Sequence, residues 1–151
     1  MIEKNFIVSG RNTIIHKIKK FDLSEKQKSL VELAFNRGTK IIFINGVAGS
    51  SKTFLSVYSA LHLLNANPKY EIKYIRTIAE AGERGLGSLP GTVDEKFNPF
   101  MMPLYDKLDE LLPVTQSKYL EDQGYIEAFP VNFLRGATWN DKVIIADEAQ
   151  N

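Results

Sequence analysis

The stretch Ile41-Ile42-Phe43-Ile44-Asn45-Gly46-Val47-Ala48-Gly49-Ser50-Ser51-Lys52-Thr53 runs from an apolar segment through a glycine-bearing loop into a Lys-Thr pair. The apolar segment predicts a buried strand over Lys40 to Asn45, and the residues after the loop predict a helix from Lys52 to about Leu64. Phe54, Leu55, Val57, Tyr58, Ala60, Leu61, Leu63 and Leu64 leave that helix few polar positions, so it is expected to be covered on most sides. A strand, a glycine loop and a helix in this order form a cradle for phosphate. Gly46 and Gly49 let the backbone take positive φ or come close to an anion, and the loop N–H groups of Gly46, Val47, Ala48, Gly49, Ser50, Ser51, Lys52 and Thr53 can then point at its oxygens. Lys52 reaches the β- and γ-phosphates, the Thr53 hydroxyl is a Mg²⁺ ligand, and the helix turns its positive end to the same place. Ser51 stands where the G-x-x-x-x-G-K-[ST] pattern has its second glycine, which adds a Cβ to the crowded side of the loop.

A second segment completes the chemistry. Val143-Ile144-Ile145-Ala146-Asp147-Glu148 reads as a buried strand that delivers an aspartate at its C-terminal end, where Asp147 can hold Mg²⁺ and Glu148 can orient and deprotonate a water. Together the two segments are the halves of a nucleoside-triphosphate hydrolysis site. The sequence given stops three residues after Glu148.

Outward from these segments, Ser24 is an N-cap with Gln27 three residues on, as in a capping box, opening a helix with Leu30, Val31, Leu33, Ala34 and Phe35 on its apolar face and Gly38 as its C-cap. Asn65-Ala66-Asn67-Pro68 predicts a turn and Ile72-Lys73-Tyr74-Ile75 a strand. The glycine-rich segment Ala81 to Gly91 predicts a functional loop. Pro103 is expected to open a helix carrying Leu104, Leu108, Leu111 and Leu112 that Pro113 stops. Tyr125 to Phe129 predicts another strand, followed by a turn near Asn140-Asp141. Strands alternating with helices predict a parallel α/β sheet. Residues 1–22 form an N-terminal arm or strand of open role, and 23–151 the domain itself.

Composition excludes several functions. The chain has 151 residues, 44% of them hydrophobic, within the size of a single domain, and a formal net charge of +1 gives no global basic field for nucleic acid. It contains no cysteine, so disulfides, thiolate zinc sites and cysteine nucleophiles are absent. No apolar run is long enough to span a bilayer, and the expectation is a cytoplasmic protein without membrane association. His16 and His62 are isolated and not at metal-ligand spacing. Met101-Met102 and Trp139 are expected to pack, although Trp139 could also stack on a base. Lys17, Lys19 and Lys20 read as a solvated edge, and Asp94-Glu95 and Asp109-Glu110 as exposed.

The stretches Gly46 to Thr53, Arg76-Thr77-Ile78-Ala79-Glu80-Ala81-Gly82, Leu86 to Gly91, Pro99 through Pro103-Leu104-Tyr105-Asp106, Leu134 to Thr138 and Asp147-Glu148-Ala149-Gln150-Asn151 resemble the PhoH-like proteins of bacteria and phages. The resemblance implies a three-layer, RecA-like P-loop NTPase sheet, of which this chain would be the N-terminal part. It implies ATP and Mg²⁺ as ligands, hydrolysis coupled to RNA or single-stranded DNA, and a homo-oligomeric ring in the full-length parent. Carried over by position, Lys52 and Thr53 contact phosphate and magnesium, Asp147 is the metal partner, Glu148 the base and Gln150 the γ-phosphate sensor. Gln27 resembles an adenine-reading glutamine, with the capping role standing beside it. Arg76 is a candidate nucleic-acid contact or a surface salt bridge, and Arg135 a weaker candidate of the same kind. In RecA-like sheets the strand between the phosphate-loop strand and the Asp-Glu strand comes from later sequence, so those two strands are expected to flank a gap. A non-hydrolysing nucleotide switch is one rival, which the catalytic-base position of Glu148 disfavours. A P-loop nucleoside kinase with an Asp-Glu-Ala-Gln string is the other, disfavoured because those kinases hold a cysteine-bound zinc.

Overall fold

The computed structural model describes residues 14–15, 17–77, 93–131, 134, 136 and 138–150. His16, Arg135 and the glycine-rich segment 81–91 lie outside the described residues. Among the described residues, four helices, α1 (Glu25–Phe35), α2 (Lys52–Ala66), α3 (Val93–Leu111) and α4 (Val114–Asp122), accompany three strands, β1 (Glu71–Arg76), β2 (Ile126–Pro130) and β3 (Lys142–Asp147). The sheet is parallel throughout, in the order β2-β1-β3. The α/β parallel class read from the sequence is therefore the observed one.

Register decides what each face carries. Ile72 pairs with Ile126 and Val143, Tyr74 with Ala128 and Ile145, and Arg76 with Pro130 and Asp147. Side chains alternate between faces, so these rows share one side of the sheet. That side packs Ile72, Tyr74, Ile126 and Ile145 against Val57, Ala60, Leu61 and Leu64 of α2 and Leu104, Leu108 and Leu111 of α3. Truncating one such fully buried leucine to alanine costs on the order of 2–5 kcal/mol. The opposite side carries a charged ladder: Lys73, only 5% exposed, bonds Glu127 on β2 and Glu71 on its own strand, and Lys142 pairs with Glu71. Burial pulls the Lys73 ammonium down, but Glu127 and Glu71 outweigh it and hold the group above its ordinary pKa.

Several expectations are corrected. Lys40 to Asn45 has no regular secondary structure and forms no ladder: Ile41 is 74% and Phe43 92% exposed, and Ile144 on β3 is 51% exposed. An apolar segment becomes a strand only when its backbone finds a partner, and none of the described strands lies beside it. Pro103 falls inside α3 instead of opening it, because the buried stripe Met101, Leu104, Leu108 and Leu111 carries the helix through the lost N–H. Pro113 is the N-cap of α4, a helix the mostly polar Thr115-to-Asp122 sequence did not announce. The α1 C-cap is Asn36, whose Oδ1 accepts from Gly38 N–H at 2.8 Å, so Gly38 follows the cap instead of forming it. Of the methionine pair, Met101 is buried and Met102 exposed.

The open role of the N-terminal arm is answered for its described part. Ile15 is buried, and the Asn65 amide clamps it twice: Ile15 N–H donates to Asn65 Oδ1 at 3.0 Å and Asn65 Nδ2 donates to Ile15 O at 3.1 Å. Gln116 Nε2 donates to Ile14 O and Lys19 N–H to Leu111 O. The segment is a strap over α2, α3 and α4, outside the sheet.

His62 lies on α2 with its ring 4.5 Å from that of Tyr58, in a row continued by Phe54 and Phe21. Burial lowers its pKa to about 4. Between about pH 6.5, where an unfolded imidazole takes up its proton, and about 4, the unfolded chain binds more protons than the folded one. Stability is therefore full above the upper limit and is lost as pH falls. The expected slope is at most about 1.4 kcal/mol per pH unit. Denaturant unfolding at pH 7 and 5.5 measures it, and His62→Leu should remove most of the difference.

Candidate nucleotide site

The loop before α2 has the strained backbone its glycines imply. Gly49 takes φ 77°, and a Cβ on Gly46 would come within 2.6 Å of Ser50 Oγ. Ser51, in the place of the missing glycine, also takes a left-handed φ of 62° and is the N-cap of α2 without a side-chain cap bond. The first-turn N–H groups of α2 are thus left uncapped by that side chain and point where an anion can bind them. Lys52 folds back over the loop, Nζ donating to Gly46 O at 2.8 Å and Val47 O at 2.9 Å. Val47 is 80% exposed, so the loop stands open to solvent.

The distant Asp-Glu segment meets this loop, as the strand-end reading requires. Thr53 Oγ1, in the first turn of α2, lies 3.2 Å from both Asp147 Oδ1 and Oδ2 at the end of β3. The Tyr74 hydroxyl donates to Asp147 Oδ2 at 2.6 Å, Glu148 N–H donates to Oδ1 at 3.2 Å, and Arg76 NH1 lies 3.7 Å from Oδ2. Burial, with Asp147 beside it, raises the Tyr74 phenol above its ordinary pKa and keeps it a donor. Glu148 takes a left-handed φ of 54°, and Gln150 Nε2 donates to its carboxylate. A threonine hydroxyl and a carboxylate are hard oxygen donors of the kind Mg²⁺ accepts, so Thr53 and Asp147 fit that ion.

Other predicted residues fall differently. Gln27 completes the capping box, with Ser24 N–H donating to its Oε1 at 2.9 Å and Gln27 N–H to Ser24 Oγ at 3.4 Å. Arg76 is half-buried and turned toward Asp147, an ion pair at the candidate site. Trp139 packs against Phe129, with ring centroids 6.2 Å apart. Tyr74 escaped the sequence reading: it sits in an ordinary apolar strand pattern, and only strand pairing brings it to Asp147. Among the described residues no cluster of three or more His, Cys, Asp or Glu could hold a metal, and no helix is long and apolar enough to cross a membrane.

Changing Ser51 to glycine tests the strain. A non-glycine residue in the left-handed region costs about 1–2 kcal/mol, which the greater unfolded-state freedom of glycine partly offsets. Ser51→Gly is expected to raise stability by up to about 1 kcal/mol in chemical denaturation. A loss would show that the serine side chain makes a contact worth more than its strain.

Comparison with known proteins gives the family. The family described as PhoH-like protein matches residues 19–151. The chain is 43% identical over 111 residues to a PhoH-like protein of Mycobacterium tuberculosis, covering 74% of this chain and 31% of that protein. It is 41% identical to a PhoH-like protein of Bacillus subtilis over 111 residues, 74% of the chain and 34% of the relative. Protein PhoH of Escherichia coli K12 is 34% identical over 131 residues, 85% of the chain and 37% of the relative. The chain thus spans about a third of the length of these curated relatives. With the match covering all but its first 18 residues, the chain belongs to the PhoH-like protein family.

Proposed function

We propose that this chain is the nucleotide-binding part of an ATP-hydrolysing PhoH-like protein whose turnover is coupled to RNA or single-stranded DNA. The observation that carries the reading is the meeting of Thr53 and Asp147 across 94 residues of sequence, beside an open glycine loop. The loop and the first turn of α2 bind the phosphates through their N–H groups, and Lys52 exchanges the Gly46 and Val47 carbonyls for phosphate oxygens. Thr53 Oγ1 and the Asp147 carboxylate would hold Mg²⁺, which supplies neutralising charge to the phosphates. Glu148 takes the proton of the attacking water, and Gln150, already bonded to Glu148, senses the γ-phosphate. Gln27 spends Oε1 on its cap, so pairing with both N6 and N7 of adenine requires that bond to open.

Nucleic-acid coupling through Arg76 and Arg135, a ring of subunits and a cytoplasmic setting rest on family membership, and Arg76 in particular faces the nucleotide side of the molecule.

Lys52→Ala is expected to abolish binding of a fluorescent ATP analogue, because the loop loses its side-chain cation. Equal affinity would sink the nucleotide assignment. Glu148→Gln is expected to keep ATP binding and lose hydrolysis in single-turnover assays of a version extended to the length of the relatives. Unimpaired turnover would transfer the base role elsewhere.

A further inference from the structure

The Asp147 carboxylate is held on several sides. The Tyr74 hydroxyl meets Oδ2 at 2.6 Å, the Glu148 N–H meets Oδ1 at 3.2 Å, and Thr53 Oγ1 lies 3.2 Å from both oxygens. Tyr74 is the best anchored of these groups. Its side chain is fully buried in the core against α2 and α3, on the central strand, and its cross-strand partner is Ile145. A packed tyrosine has few rotamers left, so its hydroxyl is a fixed donor. A carboxylate on a single methylene, by contrast, rotates freely unless something pins it.

The geometry points to Tyr74 as the positioning residue for the divalent cation of this site: by pinning Oδ2 it holds the Asp147 carboxylate against the Thr53 hydroxyl, so that both oxygen donors face the ion together. The inference rests on the nucleotide-site reading above. Tyr74 touches neither ion nor phosphate in this role and acts only through Asp147. Arg76, at 3.7 Å from Oδ2, adds charge on the same oxygen without a short bond. Outer-shell donors of this kind typically govern metal affinity by 10–100-fold.

The test uses the chain with ADP and Mn²⁺, following free Mn²⁺ by electron paramagnetic resonance. Tyr74→Phe keeps the ring and removes the hydroxyl, and it is expected to weaken ADP-dependent Mn²⁺ binding about tenfold. Metal-free ADP affinity is expected to stay at the wild-type level, which a general loss of structure would not allow. Unchanged or tighter Mn²⁺ binding overturns the inference. If Tyr74→Phe does not fold, Tyr74→Met, which also lacks the donor, is measured in its place. Failure of both to fold overturns the inference too, since the hydroxyl would then be structural. Failure of the wild-type chain to bind ADP or Mn²⁺ would instead sink the nucleotide-site reading, an outcome distinct from the others.

Discussion

The structure depends on the register in which β1 pairs with both of its neighbours. Arg76 lies opposite Asp147 on one side and Pro130 on the other, and every even-numbered residue of β1 faces the helices. A slip of one residue between β1 and β3 would turn Asp147 to the far face, away from α2, and place Ala146 or Glu148 opposite Arg76 in its stead. The Thr53–Asp147 contact, the Tyr74 bond and the position of Arg76 all follow from that alignment. The charged ladder on the other face reinforces it, since Lys73 opposes Glu127 and Glu71 opposes Lys142 only in this register.

What could be read from sequence was what local chemistry decides. The glycine loop, the α1 capping box, the Asp-Glu strand end and the turn at Asn140-Asp141 each depend on a few adjacent residues, and each stands where expected. Roles that depend on distant pairing were illegible. Tyr74 and Lys73 look like any residues of an apolar strand, and only the register makes one a donor to Asp147 and the other a buried cation between two glutamates. The segment Lys40 to Asn45 shows the reverse. Its apolar pattern promised a strand, but a ladder needs a partner, and the described strands pair elsewhere. Pro103 departs from its local signal for a different reason, since burial of an apolar stripe outweighs a local breaker.

Left-handed backbone recurs around the candidate site, with one further non-glycine case, Asp141, before the start of β3. Gly49 and Ser51 before α2 and Glu148 after β3 all take left-handed φ values. Non-glycine residues there cost stability that the surrounding packing must supply, and here that packing is α2 on β3 and β1. The loop is thus carried by the helix behind it, because the segment in front of it, with Ile41 and Phe43 in solvent, has no ladder to fix it.

The clamp on the N-terminal strap carries a chemical consequence. Asn65 gives one donor and takes one donor from the Ile15 backbone, the two-way exchange that a neighbouring strand would offer. An amide can do both, and an ionised carboxylate cannot. Hydrolysis of that side chain to a carboxylate would leave two acceptors, and the Ile15 carbonyl would then face an oxygen and lose its bond. The strap over α2, α3 and α4 is therefore fastened in part by a side chain open to deamidation, and slow deamidation at that position would loosen the N-terminal segment while leaving the glycine loop untouched.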